Sequence, residues 1–236
     1  GLSAEMMAGK WGIERARLDE ISTDSHARAA RAIDEGRFDT QIVPVPVEDE
    51  TGATVTVTVD EGLRRGTTVE KLAGLKPVFK EDGIVTAGNS SQISDGSAAL
   101  LVAGEDVAEE MGWEPMARLT HFSVVGSDPV IMLDAPIPAT FDVLEKAGLS
   151  IDDIDLVELN EAFASVVAAW LIETGADWDK VNVNGGAIAL GHPLGASGAI
   201  LMTRLVHEMA RTGARYGLQS MCEGGGTANA TILERV

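Results

Sequence analysis

Val181-Asn182-Val183-Asn184 runs straight into Gly185-Gly186-Ala187-Ile188-Ala189-Leu190-Gly191-His192-Pro193-Leu194-Gly195-Ala196-Ser197-Gly198. The first four residues read as a strand and the next dozen as a glycine-rich turn. A helix from about Ala196 to Arg211 follows, which Gly213 terminates. The same passage occurs just upstream, where a strand at Ile154 to Leu159 leads into a helix from about Glu161 to Thr174. Further out lie a strand at Ala117 to Val125, a helix at Thr140 to Ala147 stopped by Gly148, and two closing strands at Gly217 to Met221 and Ala228 to Glu234. Strands alternating with helices and ending in two strands predict an α/β layered domain.

The N-terminal part has a different texture. Ser3 is placed to cap a short helix that ends near Gly12, and a long helix is expected over Glu14 to Glu35. The prolines of Ile42-Val43-Pro44-Val45-Pro46-Val47 put that segment on an edge or outside a ladder. Thr54 to Val59 alternates Thr with Val, as a strand with one apolar face does. Residues 60 to 92 read as irregular, and a short helix is expected around Asp106 to Met111.

Composition narrows the function. The 236 residues are 45% hydrophobic and 23% charged, which fits a chain with a buried core of one to two domains. Apolar stretches such as Ala162 to Ile172 are well short of the roughly 18 residues that span a bilayer, so no membrane partner is expected. The start lacks a charged, apolar, small-residue leader, and the single Cys222 has no internal disulfide partner. A reducing, cytoplasmic setting is the expectation, and no Cys-rich metal pattern exists. Eighteen Lys and Arg against 37 Asp and Glu give −19, which repels a polyanion and argues against nucleic acid. One local reversal stands out: Arg64, Arg65, Lys71, Lys76 and Lys80 face a single acid, Glu70. It is either a solvated basic face or a docking site for a small phosphorylated ligand.

Three strand-to-loop transitions carry reactive groups. Asn160 in Glu158-Leu159-Asn160-Glu161-Ala162-Phe163 stands at a strand end, either as an N-cap or with its amide aimed at a ligand or water. His192 lies between glycines, with Pro193 fixing the backbone after it, as a directed imidazole requires. No Gly-Lys-Ser/Thr follows, so the turn is not a Walker loop. Cys222-Glu223-Gly224-Gly225-Gly226 sets the only thiol beside glycines whose N–H groups can face an oxyanion. Cys222 is either an inert buried thiol or half of a Cys/His acyl-transfer pair with His192. On chemistry alone Cys222 would be the nucleophile.

Taken together, Asn160-Glu161-Ala162-Phe163, Gly191-His192-Pro193-Leu194-Gly195-Ala196-Ser197-Gly198 and Cys222-Glu223-Gly224-Gly225-Gly226 resemble the thiolases, the acyltransferases that make or cleave 3-ketoacyl-CoA. Ala87-Gly88-Asn89-Ser90-Ser91 with Asp95-Gly96, and Pro136-Ile137-Pro138-Ala139, extend the likeness through the chain. The resemblance implies an α/β/α/β/α layered fold when complete. This chain would supply residues 1–92 as most of a CoA-binding loop domain, 93–115 as the tail of the N-terminal half, and 116–236 as the C-terminal half.

It also implies roles. Cys222 becomes a general acid/base, because the family's nucleophilic cysteine belongs to an N-terminal segment expected to precede Gly1. His192 would activate that nucleophile and line an oxyanion hole, Asn160 would position a water in it, and the Gly224 N–H would serve a second hole. Ser91 would meet the pantetheine arm and Arg64 the nucleotide end of coenzyme A, a substrate rather than a resident cofactor. A dimer or tetramer is expected, tightly associated with the N-terminal segment, since these residues alone would leave a broad apolar face exposed. The start at Gly1-Leu2-Ser3, without methionine, is expected of a piece of a longer polypeptide or of a trimmed chain.

The likeness has two departures. Met132-Leu133-Asp134-Ala135-Pro136 lacks glycines that many members carry there, and Thr227-Ala228-Asn229-Ala230 leans towards degradative or specialised members. Two other readings stay open: a non-catalytic acyl-CoA-binding scaffold, and a self-contained thioesterase or acyltransferase with Cys222 as nucleophile.

Overall fold

The computed structural model describes residues 1–236. The chain opens with helices α1 (Leu2–Trp11) and α2 (Arg15–Asp34), followed by strands β1 (Val45–Glu48) and β2 (Thr54–Val57), a short helix α3 (Val69–Ala73) and helix α4 (Glu105–Met111). Then come β3 (Ala117–Gly126), α5 (Pro136–Ala147), β4 (Leu156–Leu159), α6 (Ala164–Thr174), α7 (Ala187–Leu190), α8 (Ser197–Thr212), β5 (Tyr216–Glu223) and β6 (Thr227–Arg235).

Four strands form the main sheet in the order β3-β6-β5-β4, with β4 parallel to β5 and the other pairs antiparallel. Alternation along β6 explains its two-sided packing. Ala228, Ala230 and Ile232 join the core beneath α5 and α6, whereas Leu233 turns to Leu205, Val206 and Met209 of α8 on the opposite face. The sheet is therefore sandwiched between helices, an α/β/α layer. The principal core centres on Trp170 of α6, which is fully buried and whose indole N–H donates to Thr140 Oγ1 of α5 at 2.9 Å. Helices α1 and α2 pack on the outside of α6.

Several boundaries differ from the sequence expectations. Ser3 does not cap α1, because Gly1 stands at that position and the Ser3 hydroxyl donates to the Val130 carbonyl at 3.0 Å. Residues 136–138 belong to α5, whose first turn tolerates the prolines because its N–H groups have no intrahelical acceptor. Residues 60–92 contain α3, capped by the Thr68 hydroxyl. Val181 to Asn184 is not a strand. Only Val181 makes a β-bridge, to Val157, and Asn182 turns the chain with φ 47°. No helix is long and apolar enough to cross a membrane.

Candidate active site

The main concavity of chemical interest is a pocket of about 510 Å³. His192, Cys222, Gly224 and Ser91 all line it, and Met132, Leu133 and Phe163 form an apolar wall. A second concavity, around Asp155 and Thr212–Arg215, offers no comparable chemistry, since Asp155 already accepts from the N–H groups of Arg215 and Tyr216.

Three elements deliver the reactive groups. Asn160 follows the C-terminal end of β4, its N–H donating to the Ser220 carbonyl of β5 at 3.0 Å. It does not cap α6, whose N-cap position is Phe163. Its side chain is 1% exposed and lies behind the pocket, with Nδ2 3.3 Å from His192 Nε2. His192 sits between α7 and α8, where its backbone N–H donates to the Gln92 carbonyl at 2.9 Å. Cys222 lies near the end of β5, just before the turn that carries Gly224.

The hydrogen bonds assign the imidazole tautomer. Ser197 Oγ is 2.6 Å from His192 Nδ1 and 2.9 Å from the Pro193 carbonyl. A carbonyl can only accept, so the hydroxyl hydrogen goes to Pro193 and Nδ1 donates to Oγ. Nε2 is then left with its lone pair beside the Asn160 amide, the state a general base needs. Burial lowers the His192 pKa from its ordinary value, which keeps the ring neutral at pH 7. Burial pushes the Cys222 thiol up to about 11, and the neighbouring Glu223 carboxylate adds to the effect. Near neutrality that thiol holds its proton. It is poised to give one rather than to stand as a thiolate.

Behind the pocket, a buried carboxylate ties the elements together. Glu161 accepts from Ser25 Oγ at 2.6 Å, Asn182 Nδ2 at 2.9 Å and the Ile188 N–H at 3.2 Å. This joins α2, the 182–186 turn and α7 to the residue after Asn160. Gly186 is required there, because a Cβ would stand 2.2 Å from the Glu161 carboxyl carbon. Burial raises the Glu161 pKa, opposed by these same donors. Beneath it, Arg204 donates to buried Glu158 at 2.8 Å.

Of the six residues singled out in the sequence, His192, Cys222, Gly224 and Ser91 share the pocket and Asn160 supports it. Arg64 lies outside the pocket lining, on an exposed loop where its N–H donates to His26 Nδ1 at 3.3 Å. The basic cluster is partly spent: Arg65 pairs with Asp34 at 2.6 Å and Lys71 donates to the Gly66 carbonyl at 2.5 Å. Sequence reasoning missed Ser197 and Gln92. Gln92 spans loops, its Nε2 donating to the Gly62 carbonyl at 2.7 Å and the Ile188 carbonyl at 2.9 Å. Ser197 was visible as the one hydroxyl in the turn after His192; Gln92 carried no local signal. No three His, Cys, Asp or Glu side chains converge as a metal site would require.

An α/β layer carries an imidazole, a thiol and a glycine turn on one pocket, and comparison with known proteins gives the family. Residues 1–106 match the thiolase N-terminal domain and residues 113–235 the thiolase C-terminal domain. The chain belongs to the thiolase family. It is 54% identical to the steroid 3-ketoacyl-CoA thiolase FadA6 of Mycobacterium tuberculosis, over 99% of this chain and 56% of that protein. It is 47% identical to the acetyl-CoA acetyltransferase of Paracoccus denitrificans, over 100% of this chain and 60% of that protein. The crystal structure of the Bacillus anthracis acetyl-CoA acetyltransferase superposes with a TM-score of 0.96 at 44% identity, over 99% of this chain and 59% of that one. The chain thus has the thiolase fold and spans less than two thirds of these relatives' length.

Proposed function

We propose that the protein is an acyl-CoA C-acyltransferase that cleaves 3-ketoacyl-CoA with coenzyme A, or runs the reverse Claisen condensation. The observation that carries this reading is the shared pocket of His192 and Cys222 with the Asn160 amide 3.3 Å from His192 Nε2. The nucleophile is a second cysteine from outside these 236 residues. His192 Nε2 takes its proton, and the thiolate adds to the 3-keto carbon. The carbon–carbon bond breaks, acetyl-CoA leaves as its enolate, and Cys222 protonates that carbon. Coenzyme A then attacks the acyl-enzyme thioester and releases acyl-CoA. Asn160 with His192, and the Gly224 N–H, face the developing oxyanions, where loss of one donor costs about 3–4 kcal/mol.

Residues 1–92 act as the CoA-binding loop domain in this reading, 93–115 as the tail of the N-terminal half and 116–236 as the C-terminal half. Ser91 meets the pantetheine arm and Arg64 the nucleotide end. The working enzyme is a dimer or tetramer.

Intact mass after brief incubation with a 3-ketoacyl-CoA tests the assignment. An acyl adduct on a cysteine other than Cys222 is expected. An adduct on Cys222 would make it the nucleophile, and turnover-free binding with no adduct would leave a scaffold. Cys222→Ser is expected to retain acyl-enzyme formation and to lose the carbon–carbon step. Equal loss of both would remove the acid/base role.

A further inference from the structure

The segment from Ser127 to Asp134 connects β3 to α5 and supplies two residues of the pocket wall, Met132 and Leu133. Its backbone is strained at one point. The Leu133 N–H donates to the Ile131 carbonyl at 2.6 Å, closing a three-residue turn around Met132, whose φ is 61°. A side chain other than glycine rarely adopts that conformation, and it persists only where the surroundings over-determine it.

Those surroundings converge on Asp134. The residue is 7% exposed, and its carboxylate accepts from Ser127 Oγ at 2.8 Å and from Lys10 Nζ of α1 at 3.0 Å. The Ser127 bond closes the segment on itself, and the Lys10 bond pins it to a helix outside the sheet. Asp128 tightens the near end by accepting from the Val130 N–H at 2.7 Å. The Ser127 N–H donates in turn to the Gly226 carbonyl at 2.7 Å, within the turn that carries Gly224. The same segment therefore carries part of the apolar wall and is bonded to the turn that bears Gly224.

We propose that Asp134 is a positioning residue for acyl selection: clamped by Ser127 and Lys10, it holds the strained turn at Met132 and so sets the cross-section of acyl group the pocket admits. This rests on the acyl-CoA reading of the pocket given above. Met132 is the adjustable part of the wall, since its unbranched thioether repacks more readily than a branched side chain. Asp134 decides where that side chain starts from.

Calorimetric titration of the protein with coenzyme A, acetyl-CoA and cyclohexanecarbonyl-CoA tests this without requiring turnover. Met132→Gly removes the wall side chain while keeping a residue at ease with φ near 60°, so relief of strain offsets part of the packing this half-buried side chain loses against the core. Both Met132→Gly and Asp134→Ala are expected to shift the ratio of the two thioester affinities about tenfold towards the cyclohexane ring, the scale on which apolar pockets discriminate small differences in bulk. Ser127→Ala, which cuts the same clamp from its other end, should shift the ratio in the same direction. Asp134→Asn keeps an acceptor oxygen for Ser127 and should leave the ratio near that of the unmodified protein. Affinity for coenzyme A itself should not change in Asp134→Ala or Ser127→Ala, whose residues lie outside the pocket lining.

An unchanged ratio in Met132→Gly, or in both clamp variants, would overturn the proposal. So would an equal loss for all three ligands in both Asp134→Ala and Ser127→Ala, which would make the clamp merely structural. If the unmodified protein binds none of the three, the acyl-CoA reading fails and this inference falls with it. Binding with unaltered discrimination removes the inference alone.

Discussion

The imidazole of His192 stands between two groups with opposite demands. Ser197 Oγ, 2.6 Å from Nδ1, can accept because its own hydrogen is given to the Pro193 carbonyl, and Asn160 offers an N–H to Nε2. Removing the hydroxyl leaves Nδ1–H without its acceptor and frees the ring to take the other tautomer. Ser197→Ala should therefore lower kcat by roughly one to two orders of magnitude, part of what a positioned general base contributes, and leave KM little changed. A variant with kcat intact would show that Pro193 and the backbone suffice to orient the ring. His192, Cys222 and Asn160 were legible in the sequence because each is a polar residue at a strand end or between glycines. Ser197 was less so. A serine at a helix start reads as a cap, yet here it is the first helical residue, buried, with its hydroxyl turned back to the preceding turn.

The same contrast between local pattern and tertiary context governs the elements. The alternation of strands and helices from β3 to β6 was legible because each buries one stripe or one face against its neighbours. Val181 to Asn184 was misread for a physical reason. Asn182 pairs with the strand through its side chain: Oδ1 accepts from the Leu159 N–H and Nδ2 donates to the Leu159 carbonyl, both at 2.9 Å. The amide makes the bonds a strand backbone would have made, which leaves the main chain free to turn. That turn brings Gly185 against α2. Its φ is 79°, and a Cβ would lie 2.6 Å from the Ser25 carbonyl and 2.7 Å from Ala29 Cβ. Gly185→Ala is accordingly expected to cost roughly 2–4 kcal/mol, combining left-handed strain with overpacking against backbone. Gly195→Ala is the control, since nothing lies within 4 Å of a Cβ there and its cost should stay within about 0.5 kcal/mol. Equal melting temperatures for the two variants would refute this account of the loop's seat on α2.

At the scale of the whole molecule, the decisive feature is an uneven covering of the main sheet. Helix α8 packs on β4, β5 and β6 rather than on β3, a strand at the sheet's edge. Ser123 and Val125 point to the α5 side, while Phe122 and Val124, on the opposite face, are 75% and 71% exposed. Leu101 and Val102, at 76% and 68%, add further uncovered apolar surface in the segment before α4. An edge strand with an apolar outer face is a template for association, and a net charge of −19 opposes that only over the screening distance of the buffer. The chain purified by itself should therefore sediment as an associated species, increasingly so as salt is raised from low ionic strength. Phe122→Lys combined with Val124→Lys should move it towards monomer. The melting temperature should hardly change, because neither side chain contributes to the buried core. A sharp monomeric boundary for the unmodified chain across the salt series would mean that this face is content in water. The association expected for the working enzyme would then have to arise from a different surface.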